Sequence, residues 1–337
     1  MIARDTALIA QLRRVASLAD ALVDPEAGEI AVNRPGEMWI ERGGRWEPQD
    51  APEIDGTWFE RFPKTVASFN DDDTSASRPI LSAVLSGGER IQIVQPPACE
   101  SDTASITIRK PAPAGSLPPL DSWAAGPSQA RKALEVMPRL DPRQYIDALR
   151  HAVASGLTIA LGGSTGSGKT TLLRRLAHDI PESERIVTVE DTRELFIDHL
   201  PNRVHLLYRA DARDAAEGQA IDASTLIRSS LRMKPDRVLF GELRGGEAWD
   251  WLQVALTGHA GSVTTVHASS CAAVLERLVI LAQQSPRGRA LAETSLRRMV
   301  RMTVDVVAHV ERDPEGGPFR ITDVWRRREI DAWGLDA

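Results

Sequence analysis

The run Gly163-Ser164-Thr165-Gly166-Ser167-Gly168-Lys169-Thr170 holds every fixed position of the pattern G-x-x-x-x-G-K-[ST]. The chemistry it suits is the binding of phosphate. Glycines at 163, 166 and 168 allow backbone angles that other residues avoid. Successive amide N–H groups can then converge on phosphate oxygens at a helix N-terminus, where the macrodipole also favours negative charge. Lys169 is spaced to reach the β- and γ-phosphates, and the Thr170 hydroxyl to ligate Mg²⁺. With Thr171 opening the segment beyond, residues 163–171 form the candidate nucleotide-binding set, for ATP with Mg²⁺.

Phosphoryl transfer needs acids as well as a cradle: one to hold the magnesium shell and one to orient or deprotonate the attacking water. Two apolar runs end in carboxylates. Arg185-Ile186-Val187-Thr188-Val189 leads into Glu190-Asp191, and Arg237-Val238-Leu239-Phe240-Gly241 leads into Glu242. Glu242 is the candidate for the magnesium shell, a Walker-B role in which Asp is commoner, and Glu190 the candidate general base. Either acid could instead cap a helix or pair with Arg193, Arg228, Arg232 or Arg244. Downstream, Thr257-Gly258-His259-Ala260-Gly261 passes through a strand-like run to His267. Its two histidines are candidates for sensing the γ-phosphate.

These residues need elements to hold them. Leu157-Thr158-Ile159-Ala160-Leu161 reads as a buried strand entering the phosphate loop, and Thr171 to Ala177 has helical spacing leaving it. Strands are expected at 185–190, 203–208, 236–241 and 262–266, with helices near 222–232, 245–256, 269–284 and 288–301. That alternation predicts a mainly parallel, doubly wound sheet. In open sheets of this kind the carboxyl ends of strands line the ligand crevice, so Glu190 and Glu242 should face the nucleotide. The amino-terminal half reads differently. A helical stripe over 4–23 precedes short strands at 29–32, 37–41, 79–85, 89–94 and 105–109, with a segment at 57–69 that Pro63 would interrupt or start. Four prolines within residues 110–119 mark a linker. The expected organisation is a smaller α+β domain over 1–110, a linker over 111–127 and an α/β nucleotide-binding domain over 128–337.

At 337 residues the chain is long enough for two cores. A net charge of −6 argues against a surface that coats nucleic acid, and no strong nucleic-acid signal is found. Cys99 and Cys271 are its two cysteines, so no disulfide framework is expected. His267 and Cys271 lie four apart but lack the further ligands of a metal cluster. The N-terminus leads into an amphipathic pattern and not a signal peptide. No apolar run approaches the roughly 20 residues that span a bilayer, so any membrane association is expected to be peripheral or through a partner.

Four motifs occur in a telling order: the phosphate loop, the box Glu190-Asp191-Thr192-Arg193-Glu194-Leu195, the run Lys234-Pro235-Asp236-Arg237 through Glu242-Leu243-Arg244-Gly245, and the histidine box ending at His267. Their order resembles the secretion/traffic ATPase superfamily, which powers type II and type IV secretion, type IV pili and archaeal flagella. Glu29 to Gly36, Pro79 to Ala83, Gly88 to Pro97 and Ser105 to Lys110 look like the small type IV secretion ATPases within it. Leu85-Ser86-Gly87-Gly88 departs from that family, which typically has a proline after the leucine.

The resemblance implies a RecA-like ATPase domain and a homo-hexameric ring. It also implies a cytoplasmic location at the inner membrane, among other secretion-system components. It further implies that Glu190 is the catalytic glutamate, Glu242 the Walker-B glutamate, His267 the second histidine of its box, and Arg90 and Arg109 arginines that neutralise phosphate charge. The linker would be the hinge. Two alternatives stay open: a pilus assembly or retraction motor, and a nucleotide-gated binding module with little turnover.

Overall fold

The structure, a computed structural model, describes residues 2–111, 129–137, 140–209, 221–259, 261–313 and 315–327. The expected linker at 111–127 therefore lies outside the described residues, apart from residue 111. The first elements are α1 (Ile2–Arg14), α2 (Ala16–Val23), β1 (Ala27–Val32), β2 (Gly36–Arg42), β3 (Arg45–Ala51), α3 (Gly56–Phe69), β4 (Ile80–Val84), β5 (Arg90–Val94) and β6 (Ser105–Arg109). Next come α4 (Gln129–Val136), α5 (Tyr145–Ala154), β7 (Ile159–Gly163), α6 (Lys169–Leu176), β8 (Ile186–Glu190), β9 (Arg203–Leu207), α7 (Ala223–Ser230) and β10 (Arg237–Phe240). The last are α8 (Glu247–Leu256), β11 (Val263–His267), α9 (Cys271–Ala282), α10 (Pro286–Arg289), α11 (Glu293–Thr303), β12 (Val306–Arg312) and β13 (Phe319–Arg326). The chain divides into two units. Unit 1 is Met1–Ala125 with Ser183–Arg185 and Asn202–Lys234; unit 2 is Gly126–Glu182, Ile186–Pro201 and Pro235–Ala337.

Unit 1 is built on an antiparallel sheet of order β3-β2-β1-β6-β5-β4. Side chains alternate between its faces. Ile30, Val32, Met38, Ile40, Ile91, Ile93, Ile106 and Ile108 form one core with Leu8, Leu18, Trp58, Phe62 and Val66 of the helices. The proline that the sequence suggests as an interruption sits inside α3, which runs on through it. An interior proline costs about 3 kcal/mol, but Trp58, Phe59, Phe62, Pro63, Val66 and Ala67 are all buried. Burial of that face outweighs the lost hydrogen bond. The Asp55 carboxylate caps the helix by accepting from Trp58 N at 2.7 Å.

The stripe over 4–23 is two helices, broken at Val15. Strand β3 escapes the sequence reading because Arg45-Trp46-Glu47-Pro48-Gln49-Asp50-Ala51 has one large apolar residue and a proline. An edge position tolerates both, and β3 is at the edge.

The opposite face of this sheet is also covered, which is why β1 is buried along most of its length. Ala31, Trp39 and Trp46 cluster there, and Arg185 lies wholly buried beside them, with Cζ 5.3 Å from the Trp46 ring. Its guanidinium donates to Asn33 Oδ1 (2.9 Å), Asn202 Oδ1 (2.6 Å), Thr107 Oγ1 (3.3 Å) and the Met233 carbonyl (2.9 Å). One side chain thus pins all three segments of unit 1. Residues 202–234, expected with the nucleotide-binding half, cluster here instead.

Unit 2 is α/β. Its strands run in the order β13-β12-β7-β11-β10-β8. All but β13 are parallel; β13 pairs antiparallel with β12. Leu161 of β7 packs with Leu149, Val153, Leu173 and Leu176 of α5 and α6. The next residue, Gly162, turns to the other face, where a Cβ would collide with Val274 of α9. Helices on both faces explain why the strands read as continuous apolar runs. The sequence reading contains no β12–β13 hairpin. No helix among the described residues is long and apolar enough to cross a membrane.

Replacing Arg185 by Met keeps the bulk but takes the guanidinium donor from Asn33 Oδ1 and the Met233 carbonyl, leaving Asn202 Oδ1 with Asn33 Nδ2 alone. Urea unfolding should show a loss of about 3 kcal/mol; a loss under about 1 kcal/mol would mean that Arg185 does not hold the segments together.

Candidate active site

The site grows from strand register in unit 2. In the β7–β11 pairing His267 lies opposite Gly163, so the histidine ends its strand where the phosphate loop begins. Strand β10 pairs with β11 and β8, and Gly241 N donates to Val189 O at 3.0 Å. The ends of β7, β11, β10 and β8 therefore meet along one edge, carrying Gly163, His267, Glu242 and Glu190.

Gly168 is the N-cap of α6, with φ 93°, and no side chain caps the helix. The first-turn amides keep their hydrogen-bonding capacity for an anion. Gly163 is hemmed in: a Cβ there would collide with Ser167 Oγ and the Val310 carbonyl. Ser167 is 1% exposed and its hydroxyl has no hydrogen-bond partner. Ser164, Thr165, Gly166 and Thr171 are exposed and Thr170 is half-buried, as a loop open to a ligand requires.

Lys169 is buried, and its ammonium donates to the carbonyls of Gly163 (3.1 Å) and Ser164 (2.9 Å). Burial lowers its pKa, against the pull of nearby Glu242. The same Nζ is 3.5 Å from His267 Nδ1, and His267 Nε2 is 2.5 Å from Glu242 Oε1. The imidazole thus stands between the ammonium and the carboxylate, in contact with both, while Glu242 Oε1 makes no hydrogen bond. Glu242 Oε2 accepts from Arg244 Nε at 2.8 Å, and Arg244 Nη1 reaches Asp191 Oδ2 at 2.8 Å. The result is a line of polar groups in contact, Lys169–His267–Glu242–Arg244–Asp191.

Glu190 stands differently. It is 2% exposed, and its side chain packs against Gly241, where a Cβ would lie 3.3 Å from Glu190 Cγ. Its Oε1 accepts from Glu194 N and Leu195 N, each at 2.9 Å, and Oε2 from Thr188 Oγ1 at 3.1 Å. Burial pushes its pKa up, opposed by these hydrogen bonds. A carboxylate with raised proton affinity suits a base, and its bonds also anchor the loop after β8. Arg90 and Arg109 belong to unit 1, directly opposite each other on β5 and β6. Buried Glu29 stands 3.5 Å from Arg109.

The description "Type II/IV secretion system protein" matches residues 137–316. A type IV secretion system protein VirB11 of Brucella suis is 43% identical over 315 residues, covering 90% of this chain and 86% of that protein. PtlH of Bordetella pertussis is 43% identical over 318 residues, 91% of this chain and 92% of that protein. The chain belongs to the type II/IV secretion system protein family. The crystal structure of the Brucella suis VirB11 ATPase in complex with sulphate matches this fold with TM-score 0.84, 40% identity and 96% of each chain covered.

For this family member the fit to a magnesium nucleotide can be tested on its own side chains. The partnerless Ser167 hydroxyl, the uncapped α6 amides and the buried ammonium all suit a polyphosphate. Among the described residues no three His, Cys, Asp or Glu side chains are grouped to hold a metal unaided. Mg²⁺ commonly takes one or two protein oxygens and otherwise water and phosphate, which Thr170 and Glu242 can supply. Sequence reasoning names Arg244 only as a possible structural partner, and misses Asp191 and Thr265. The Thr265 hydroxyl donates to the Gly241 carbonyl at 2.7 Å and steadies the backbone before Glu242. No motif marks a threonine for that task.

Lys169→Ala removes the ammonium while leaving the amides. ATP hydrolysis should fall to background and nucleotide affinity should drop at least tenfold in a titration; normal turnover would dismantle the site.

Proposed function

We propose that this chain is the ATP-hydrolysing motor of a type IV secretion system, working as a homo-hexameric ring with a RecA-like ATPase domain. The chain is an ATPase of the type IV secretion kind. The observation that carries the catalytic reading is the buried Lys169 ammonium, seated in the phosphate loop and linked through His267 to Glu242. It supports a site in which phosphate charge and Glu242 are coupled through one imidazole.

The loop amides and the first turn of α6 bind the triphosphate of ATP, and Lys169 exchanges its two carbonyl bonds for phosphate oxygens. Thr170 and Glu242 are the residues that would hold Mg²⁺. Bound Mg²⁺ neutralises phosphate charge and polarises the group being transferred. Glu190 takes the proton of the attacking water, helped by the proton affinity that burial confers. His267 registers the lysine's move at Nδ1 and passes it to Glu242 at Nε2. Arg90 and Arg109 neutralise charge that builds on the phosphates. The partners are further copies of the chain and other secretion-system components, with the chain cytoplasmic and peripheral at the inner membrane.

Two measurements test this reading. Purified wild type should hydrolyse Mg·ATP, and Glu190→Gln should lose about 10²–10⁴-fold in kcat while still binding ATP. Glutamine keeps an oxygen for the Glu194 and Leu195 amides, so folding should survive. A wild type that binds ATP without turning it over would favour the nucleotide-gated module. The mass of the ATP-bound assembly should correspond to six copies; a monomer would refute the ring.

Arg90→Ala and Arg109→Ala should each lower kcat about tenfold or more, a part of the roughly 10³–10⁵ that arginine fingers supply elsewhere. ATP affinity should change less. Unchanged kcat in both would assign the pair to the sheet surface.

A further inference from the structure

The acids all lie on one side of β7. Going that way across the sheet come β11, β10 and β8, which bring His267, Glu242 and Glu190; β12 and β13 lie on the other side. A triphosphate on the loop with its terminal phosphate toward the acids must run its α-phosphate, ribose and base toward β12 and β13. Strand β12 is parallel to β7, so its carboxyl end, and with it the start of β13, reaches the same edge of the sheet as the phosphate loop.

Two residues stand there. Arg312, the last of β12, pairs in register with Phe319, the first of β13. The Phe319 ring lies against the phosphate loop: a Cβ on Gly168 would come within 2.6 Å of its Cδ1 and 2.9 Å of its Cε1. The Arg312 guanidinium carbon is over the ring, 5.5 Å from its centroid. Phe319 nevertheless remains 49% exposed. An aromatic ring fixed beside a phosphate cradle, half open and carrying a guanidinium, suits a planar heterocycle attached to phosphate.

We propose that Phe319 and Arg312 form the wall on which the purine base of the nucleoside triphosphate stacks. The proposal rests on the nucleotide site described above and adds the residues that hold the base. The ring supplies a flat apolar face, and Arg312 holds it in place and offers positive charge toward the sugar–phosphate side. Stacking reads the face of a base and not its edge, so ATP and GTP should depend on Phe319 alike. The sequence holds no sign of this role, because nothing in Gly317-Pro318-Phe319-Arg320 reveals that the hairpin folds against Gly168.

The test titrates full-length wild type, Phe319→Ala and Phe319→Trp with ATP, GTP and inorganic tripolyphosphate, which has phosphates and no base. Phe319→Ala should bind ATP and GTP about tenfold more weakly, keep tripolyphosphate affinity within about twofold of wild type, and raise KM for ATP more than it lowers kcat. Phe319→Trp should restore ATP binding. Equal losses for ATP and tripolyphosphate would mean that the ring only supports the loop at Gly168, and would overturn the proposal. So would wild-type ATP affinity in Phe319→Ala. If wild type bound neither ATP nor tripolyphosphate, the nucleotide site itself would fall and this inference with it.

Discussion

The register that sets His267 opposite Gly163 is the constraint on which the rest of unit 2 depends. In a parallel sheet every strand delivers its carboxyl end to the same edge, and a shift of one residue would turn each side chain to the other face. Because β7, β11, β10 and β8 are held in step, four separate chain segments bring a lysine, a histidine and two acids to one place. Gly162 takes part in this: its lack of a side chain lets α9 close on β7 at Val274. Packing behind the sheet thus fixes the strand that carries the phosphate loop.

Charge is arranged along that edge in two ways. Lys169, His267, Glu242, Arg244 and Asp191 form a chain in which each group contacts the next. Burying Lys169 alone would cost several kcal/mol; two loop carbonyls offset that cost, and phosphate oxygens can replace them. Glu190 takes the opposite course. It is withdrawn from water and held by two amides and a hydroxyl, and burial raises its proton affinity against the pull of those bonds.

Unit 1 meets a related problem with Arg185. Its guanidinium is buried with no loss of hydrogen bonding, because Asn33, Thr107, Asn202 and Met233 converge on it from distant parts of the chain. The same sheet face bears a row of charges across its strands. Glu41, Glu29, Arg109 and Arg90 are successive partners in register, with Lys234 3.4 Å from Glu41. Two acids lie side by side and then two arginines, with Lys234 beside Glu41 at the acidic end and positive charge at the other.

Local sequence determined much of this protein. The glycine spacing from 163 to 168 is itself the instruction for a phosphate loop, since amides can converge only where side chains are absent. The apolar runs before Glu190 and Glu242 specify strands buried on both faces, and the order of four motifs identifies the family. Tertiary structure alone decided how those motifs work. Whether Glu242 faces His267 and Arg244, whether Glu190 is exposed or sealed against Gly241, and which side chain lies on Gly168 are long-range matters of packing and register. Strand β3 and the β12–β13 hairpin gain their place from neighbours and not from their own alternation. Arg185 sits between segments that sequence assigns to different halves. A contact between distant residues is selected by the free energy of the whole packed unit, and no local pattern records it.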